Sequence, residues 1–454
     1  MRYILKKVIT SFDQVNWDKV TKNGSITILE CDHNKITSFR HLPNTITNLK
    51  CNYNQITSFK YLPDTVKYLE CSNNLISSFQ DLPNSIIKLG CDYNQISSFK
   101  YLPNSIIKLY CNHNMITSFM YLHNRIDVLK CNHNQITTFQ YIPNSVTELE
   151  CCYNLINSFE YIVSCNKLNI DDNLIRSFKY LQEGLIELYC RNNEISSFEY
   201  LPSTVIKLYC SNNNLINFKY LPEGLIELYC RINEISSFEY LPTTLNKLYC
   251  CGNNLTNFKY LKSNVTELSC DNNEITSFEY LPVGIKILLC KNNIITSFEY
   301  LSNTVEILCC DYNQISNFKY LPTSVIDIRC NYNEITTFEN LPDTVIRMRC
   351  NHNKITSFKY LHNKMEILYC KYNMIDTTEY LVYSPKYIIS DIKINKDEID
   401  KNRFKHGNEI IKQITNNIYV TKIQKVWQKY WYNDLIKVDD TLMNRFGKYC
   451  WEQM

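Results

Sequence analysis

Twenty-two cysteines stand in this chain of 454 residues. Cysteine is the residue type that binds zinc, bridges as a disulfide or attacks as a thiolate. Seventeen of them fall at 31, 51, 71, 91, 111, 131 and 151, then at every twentieth position from 190 to 370. Zinc takes four ligands in a tetrahedron, with cysteine pairs usually two to four residues apart, and no Cys-x-x-Cys occurs. A long fixed period instead stacks equivalent thiols in a line. Neighbours in such a line can approach disulfide distance, but they form a row and not a framework. The opening MRYILKKVITSF has no apolar stretch long enough for an export signal, so reduced thiols inside a cell are expected. Most are read as core filler, since free cysteine is small, apolar and often buried. Cys152, Cys251 and Cys309 lie beside the row. They are expected to be more exposed and open to adventitious oxidation, with no base nearby in sequence to activate them.

No other chemistry emerges. His33, His113, His133 and His352 share one variable position with several tyrosines, which points to packing at a turn. No nucleophile with base and acid, phosphate loop or metal-ligand cluster is present, so no enzyme activity and no cofactor are expected. The formal net charge of +3 is too balanced for a generic nucleic-acid binder, and no run approaches the eighteen apolar residues of a membrane span.

Binding chemistry is better represented. Tyr189, Tyr209, Tyr229 and Tyr249 precede four successive ladder cysteines, and Arg191 and Arg231 stand on the other side. Two residues before the tyrosines come Glu187, Lys207, Glu227 and Lys247, with Glu267 on the next unit, so opposite charges alternate. Tyrosine and arginine are the composition of binding hot spots. The competing reading is a self-satisfied ladder copied by duplication, since EISSFEYLP recurs at 194–202 and 234–242. Arg329, Arg347 and Arg349, partly offset by Asp327, form a basic spot suited to a phosphate or an acidic peptide.

The elements that position these residues follow from the period. Three residues after each ladder position stands asparagine, from Asn34 to Asn373, and eight after it stands phenylalanine until Thr378 ends the series. Ile170 takes the cysteine position in a unit one residue short, and eighteen units result. Cys210, Asn213 and Phe218, then Cys230, Asn233 and Phe238, show the pattern. Ile46, Leu49 and Cys51 fit the inner side of a short strand and its entry turn, the Asn amide can bracket a bend, and the Pro of the recurrent LP suits an extended arm.

One unit, Ile46-x-x-Leu49-x-Cys51-x-x-Asn54-x-Ile56, is similar to the leucine-rich-repeat core with cysteine at a leucine position. The twenty-residue length resembles the short bacterial-effector class, and the cysteine row resembles repeat proteins of giant amoebal viruses. The resemblance implies a β-rich α/β-type solenoid, a curved horseshoe with a parallel inner sheet and mostly extended outer arms. It also implies function on the concave face. Bacterial effectors of this class can carry a ubiquitin-ligase domain after their repeats, and the seventy-residue tail here does not match one.

Three regions are expected: an N-terminal cap over 1–25 with a decayed half-repeat, the solenoid over 26–384, and a helical C-terminal cap or tail over 385–454. VITSF (8–12) echoes KITSF (35–39), so Ile9 and Phe12 end a decayed repeat, and 13–25 suits a short helix holding Trp17 over the end. The tail carries 13 Lys/Arg against 9 Asp/Glu. Its stretch KIQKVWQKYWY (422–432) resembles a degenerate calmodulin-binding motif through Ile423, Gln424 and Trp427, although Gln428 stands where that motif wants arginine. A cap packing Trp427 and Trp431, a calmodulin-like contact and a basic anchor all remain open. The expected function is a non-catalytic scaffold in the cytoplasm (the host's, for a viral chain), binding a host or viral protein through its concave face. A substrate-recognition subunit of a ubiquitin-ligase assembly is the alternative.

Overall fold

An apolar residue, leucine in most units, repeated two positions before every ladder position, dictates three-residue strands whose central side chain is buried while its two neighbours face the other way. The computed structural model describes residues 1–5, 8–22, 24–376 and 387–390. Strands run from β2 (Ile28–Glu30) to β19 (Ile367–Tyr369), one per unit, flanked by β1 (Arg2–Ile4) and β20 (Tyr387–Ile389). Together they form one sheet of 20 strands. Each pairs in parallel with the next in chain order. Leu188, Leu208 and Leu228 lie in register and fully buried, so their neighbours in sequence face the other way. The short unit keeps this register, because Glu148 pairs with Lys167 and Glu150 with Asn169. The missing residue is therefore taken out of the outer arm.

The core is one continuous cluster in which successive units stack like on like. Phe39, Phe59, Phe79 and Phe99 are fully buried, with neighbouring ring centroids 6.3–6.5 Å apart. On the opposite side of the sheet the rings of Tyr189, Tyr209, Tyr229 and Tyr249 are only 4.2–4.5 Å apart. Equivalent groups thus spread with distance from the strands, which makes the sheet the concave wall.

The outer arm turns by hydrogen bonds and without helix. Leu62 N–H donates to Phe59 O (3.0 Å), closing a turn whose third residue, Tyr61, has φ 69°. That left-handed conformation ordinarily favours glycine or asparagine. Tyrosine holds it in most units, from Tyr61 to Tyr360. A lysine one residue earlier sits over the ring in several of them, as Lys219 does over Tyr220 at 4.7 Å. A second left-handed position follows each ladder residue by two, from His33 to Tyr372.

At the N-terminus Ile9, Phe12 and Val15 join the core, and Asn34 Oδ1 accepts from Ile9 N–H at 2.8 Å. A 3₁₀ turn over Phe12–Gln14 and helix α1 (Trp17–Thr21) follow, with Trp17 packed 6.3 Å from Phe12. At the other end Tyr387–Ile389, read from sequence as the start of a helical tail, is a strand paired with β19. The rest of the expected helical segment, including Ile423, Gln424, Trp427 and Trp431, lies outside the described residues. Among the described residues no helix is long and apolar enough to cross a membrane.

Candidate partner-binding face

The face rests on a ladder of asparagines. Asn213 Oδ1 accepts from Ile195 N–H (2.9 Å) while its Nδ2 donates to Cys190 O (2.9 Å), Cys210 O (3.1 Å) and Ser211 O (3.3 Å). Asn233 repeats this with Leu215 N–H and with Cys210 O, Cys230 O and Arg231 O. Each amide therefore satisfies backbone groups of two adjacent units in a place water does not reach. Beside it Cys210 and Cys230 are fully buried, as are Phe218 and Phe238.

Burial pushes the ladder thiols up, well out of the range where a thiolate forms. The three cysteines expected to be exposed are buried as well. Cys152 is pushed up to about 12 and Cys251 to about 11, in both cases by desolvation first. The reason is crowding on the concave side. Cys309 packs with Ile307 of its own strand and Leu289 of the preceding one, and Cys251 Sγ lies 3.0 Å from Ser269 Oγ. Among the described residues no group of three or more His, Cys, Asp or Glu is placed to hold a metal.

A further ladder, one residue after the cysteine, escaped the sequence reading. Asp32 Oδ1 accepts from Asn52 N–H (2.7 Å), Asn52 Oδ1 from Ser72 N–H (2.8 Å), and Asp92 Oδ1 from Asn112 N–H (2.7 Å). Asp171 accepts from Arg191 N–H at 2.6 Å and Asp311 from Asn331 N–H at 2.6 Å. The signal was the run of Asp, Asn and Ser at that position. Burial raises several of these carboxyls, that of Asp171 to about 6. The next position carries the shared histidines and tyrosines, stacked in columns. Tyr93, His113, His133 and Tyr153 follow one another at 3.9–4.0 Å.

On the concave face the four tyrosines form one stacked column. Tyr189, Tyr209 and Tyr229 are half-buried and Tyr249 is buried. The Tyr189 hydroxyl donates to Glu187 Oε1 at 2.6 Å, and the Tyr249 hydroxyl meets Glu267. Lys207 and Lys247 reach Glu227 at 3.6 and 3.8 Å, and Lys247 reaches Glu267 at 3.8 Å. Arg191 is exposed and lies over both Tyr189 and Tyr209, 5.8 and 5.3 Å from their centroids. Arg231 is half-buried and acts electrostatically on Cys251 and Asp271. The structure thus brings tyrosines, arginines and alternating charges together on one face.

The second arginine group begins four strands beyond that of Tyr249. Arg329 and Arg349 are register partners, Arg347 lies 3.9 Å from Asp327, and Arg349 covers Tyr369 at 5.2 Å. Burial and the neighbouring Arg329 hold the Arg349 guanidinium below its ordinary value, the mark of a crowded electropositive spot. Between the two groups Leu289, Ile307 and Cys309 form a small apolar cluster of their own.

Comparison with solved structures matches this architecture. YopM from Yersinia enterocolitica is similar over 80% of this chain and 91% of its own, with TM-score 0.57 and 21% identity. A viral circular leucine-rich-repeat protein, CroV588, is similar over 81% of this chain, with TM-score 0.62 and 21% identity. This chain spans 59% of it. A leucine-rich-repeat protein of Leptospira interrogans is similar over 88% of this chain and 99% of its own, with TM-score 0.50 and 16% identity. The chain has the leucine-rich-repeat fold. As a leucine-rich-repeat solenoid it resembles both a bacterial and a viral repeat protein. No protein-family model and no curated protein matches it.

Proposed function

We propose that this protein is a non-catalytic scaffold that binds a host or viral protein through the concave face of its leucine-rich-repeat solenoid, acting in the cytoplasm. The observation that carries the reading is the Tyr189–Tyr249 column with Arg191 laid across it. Rings held by stacking lose little rotamer freedom when a partner covers them, so the entropic cost of binding is small. Aromatic and arginine anchors are the groups that dominate interfaces. The internal salt bridges set the lysine and glutamate side chains around the column without filling it, and exposed pairs of this kind contribute little stability of their own. A scaffold role also agrees with burial of the described cysteines, which disfavours the nucleophilic thiolate.

The test is capture of partners from cytosolic extract by the whole chain and by the Tyr209→Ala/Tyr229→Ala variant. A specific partner should be lost by the variant, at a cost of about 2–4 kcal/mol in affinity, while its far-ultraviolet dichroism stays native. Equal capture by both would leave the column as a structural ladder. The basic group around Arg329, Arg347 and Arg349 is a second contact of the same face, where acidic or phosphorylated side chains of the partner would pair with guanidinium.

A further inference from the structure

The residue before the ladder cysteine carries a side chain in every unit but one. In the N-terminal half the column reads Lys50, Glu70, Gly90, Tyr110 and Lys130. Gly90 is the central member of a gap. Its backbone does not require glycine, because left-handed glycines occur only at Gly24, Gly184, Gly252 and Gly284 among the described residues. Space does not require it either: a Cβ on Gly90 would have its nearest neighbour, Glu70 Cγ, at 3.8 Å. What glycine does here is leave room. An open groove of about 400 Å³ passes over this point; Glu70, Lys88, Gly90 and Tyr110 line its strand side, and it continues along the turns past Asp92 and Ser72 as far as Asp32.

The dimensions of that room are set by the solenoid. Strands lie about 4.8 Å apart, so Glu70 and Tyr110 are separated by about twice that across the empty rung. In the filled part of the same column neighbouring rings stand 4.2–4.5 Å apart. One ring inserted at the level of Gly90 would therefore stack on Tyr110 at the spacing the fold already uses. Among the described residues no aromatic ring stacks on Tyr110. Its face is covered only by Lys88 Nζ, 5.2 Å from the centroid, and by Lys130 Nζ from the next strand at 5.8 Å. Lys88 occupies on its strand the position that Glu187 occupies beside Tyr189. Glu187 accepts the tyrosine hydroxyl there, whereas an ammonium at this position donates to a phenol oxygen. Its stem is flexible and can swing off the ring.

We propose that the gap over Gly90 is a subsite for one aromatic side chain of a protein partner, a tyrosine above all, stacked on Tyr110 with its hydroxyl toward Lys88. The proposal rests on the reading of the concave face as the binding face and adds to it what the partner must carry. Charge does not choose the occupant, because Glu70 is already held by Lys50 at 3.2 Å and Asp92 by the Asn112 backbone and amide. The Tyr110 ring face does, once the Lys88 stem swings off it.

The probe is N-acetyl-tyrosinamide, with N-acetyl-leucinamide as control, read by saturation-transfer NMR on the full chain. The tyrosine amide should give a signal at least fivefold above the leucine amide. Gly90→Tyr, which fills the gap from within, should abolish that signal while its melting temperature equals or exceeds the native value. Gly90→Leu gives the same reading should the tyrosine variant not fold. Tyr209→Ala/Tyr229→Ala should leave the signal intact. Equal signals from the two amides, or a signal that survives Gly90→Tyr, would overturn the subsite. A partner captured by the native chain should lose at least tenfold in affinity to Gly90→Tyr. Capture lost only in the double-tyrosine variant would overturn the subsite and leave the concave-face reading standing.

Discussion

The same column of the sheet is built in two ways. Between Tyr189 and Tyr249 four rings stack without interruption, their ends tied to Glu187 and Glu267. Between Glu70 and Lys130 a single ring, Tyr110, stands beside a glycine and an open groove. The backbone beneath is the same in both, with parallel strands in identical register and an asparagine under each. The difference teaches that this solenoid separates fold from surface. The inward residues repeat with little change, while the outward ones decide whether a stretch of the face is closed on itself or open.

The strongest way to test that separation is to attack what the two regions share. Asn213→Ala beneath the tyrosine column and Asn94→Ala beneath the gap each remove an amide that serves backbone groups of two units. Each should cost about 3 kcal/mol, since buried donors and acceptors are left unpaired. Urea denaturation followed by dichroism should show the two losses within about 1 kcal/mol of each other. A much smaller loss beneath the gap would mean that the scaffold differs there too.

Next comes a comparison of the rings themselves. Tyr229→Ala removes a ring stacked on both sides, and should cost about 1–2 kcal/mol through lost stacking and burial. Tyr110→Ala removes a ring without aromatic neighbours and should cost less than half as much in the same urea measurement. Equal losses would argue against an open face at Tyr110.

Acidity sharpens the contrast between closed and open charge. Burial raises the Asp171 carboxyl to about 6, against an ordinary value near 4. A carboxyl raised on folding favours the folded state most when protonated, so this contribution is present below about pH 4 and is lost as pH rises through 6. Asp171→Asn keeps an oxygen for Arg191 N–H and removes the buried charge. The variant should be more stable than the native chain at pH 7, by about 1–2 kcal/mol after allowing for solvent screening. The gain should vanish near pH 4 in melting curves taken at both values. A gain that persists at pH 4 would show that charge is not its source.

The smallest expected effect is Gly90→Ala. Alanine restricts the unfolded chain, and the native backbone and space both accept a Cβ, so a gain of about 0.5–1 kcal/mol is expected. A loss, measured by the same denaturation, would show that the strand needs glycine for a reason other than room.

Much of the fold was legible because a twenty-residue period makes neighbours in sequence space into neighbours in the sheet. Once Leu188, Leu208 and Leu228 repeat in step, register has one solution, since a slip by one residue would turn every leucine outward. The missing residue before Ile170 was absorbed in the arm for the same reason. The candidate site was only partly legible. Tyr189, Tyr209, Tyr229 and Tyr249 could be placed on one face, but their hydroxyl partners and the burial of Tyr249 depend on how tightly the concave side closes. Cys152, Cys251 and Cys309 were misjudged on this point, because alternation assigns a residue to a face and says nothing about how crowded that face is.

By itself the sequence determined the period, the inward set of leucine, cysteine, isoleucine and phenylalanine, the asparagine beneath each strand and the parallel register. These follow from local alternation and from burial repeated eighteen times. Only the tertiary structure decided the rest: left-handed tyrosines at the outer turns, Asp, Asn and Ser acceptors after many of the cysteines bonding the backbone of the next unit, buried thiols on the concave side, and a room over Gly90. All four depend on the spacing between units, about 4.3 Å between rings at the concave wall and about 6.3 Å at the phenylalanine wall. A linear pattern does not carry that fanning. It arises when large side chains on one wall and small ones on the other are packed to the same density.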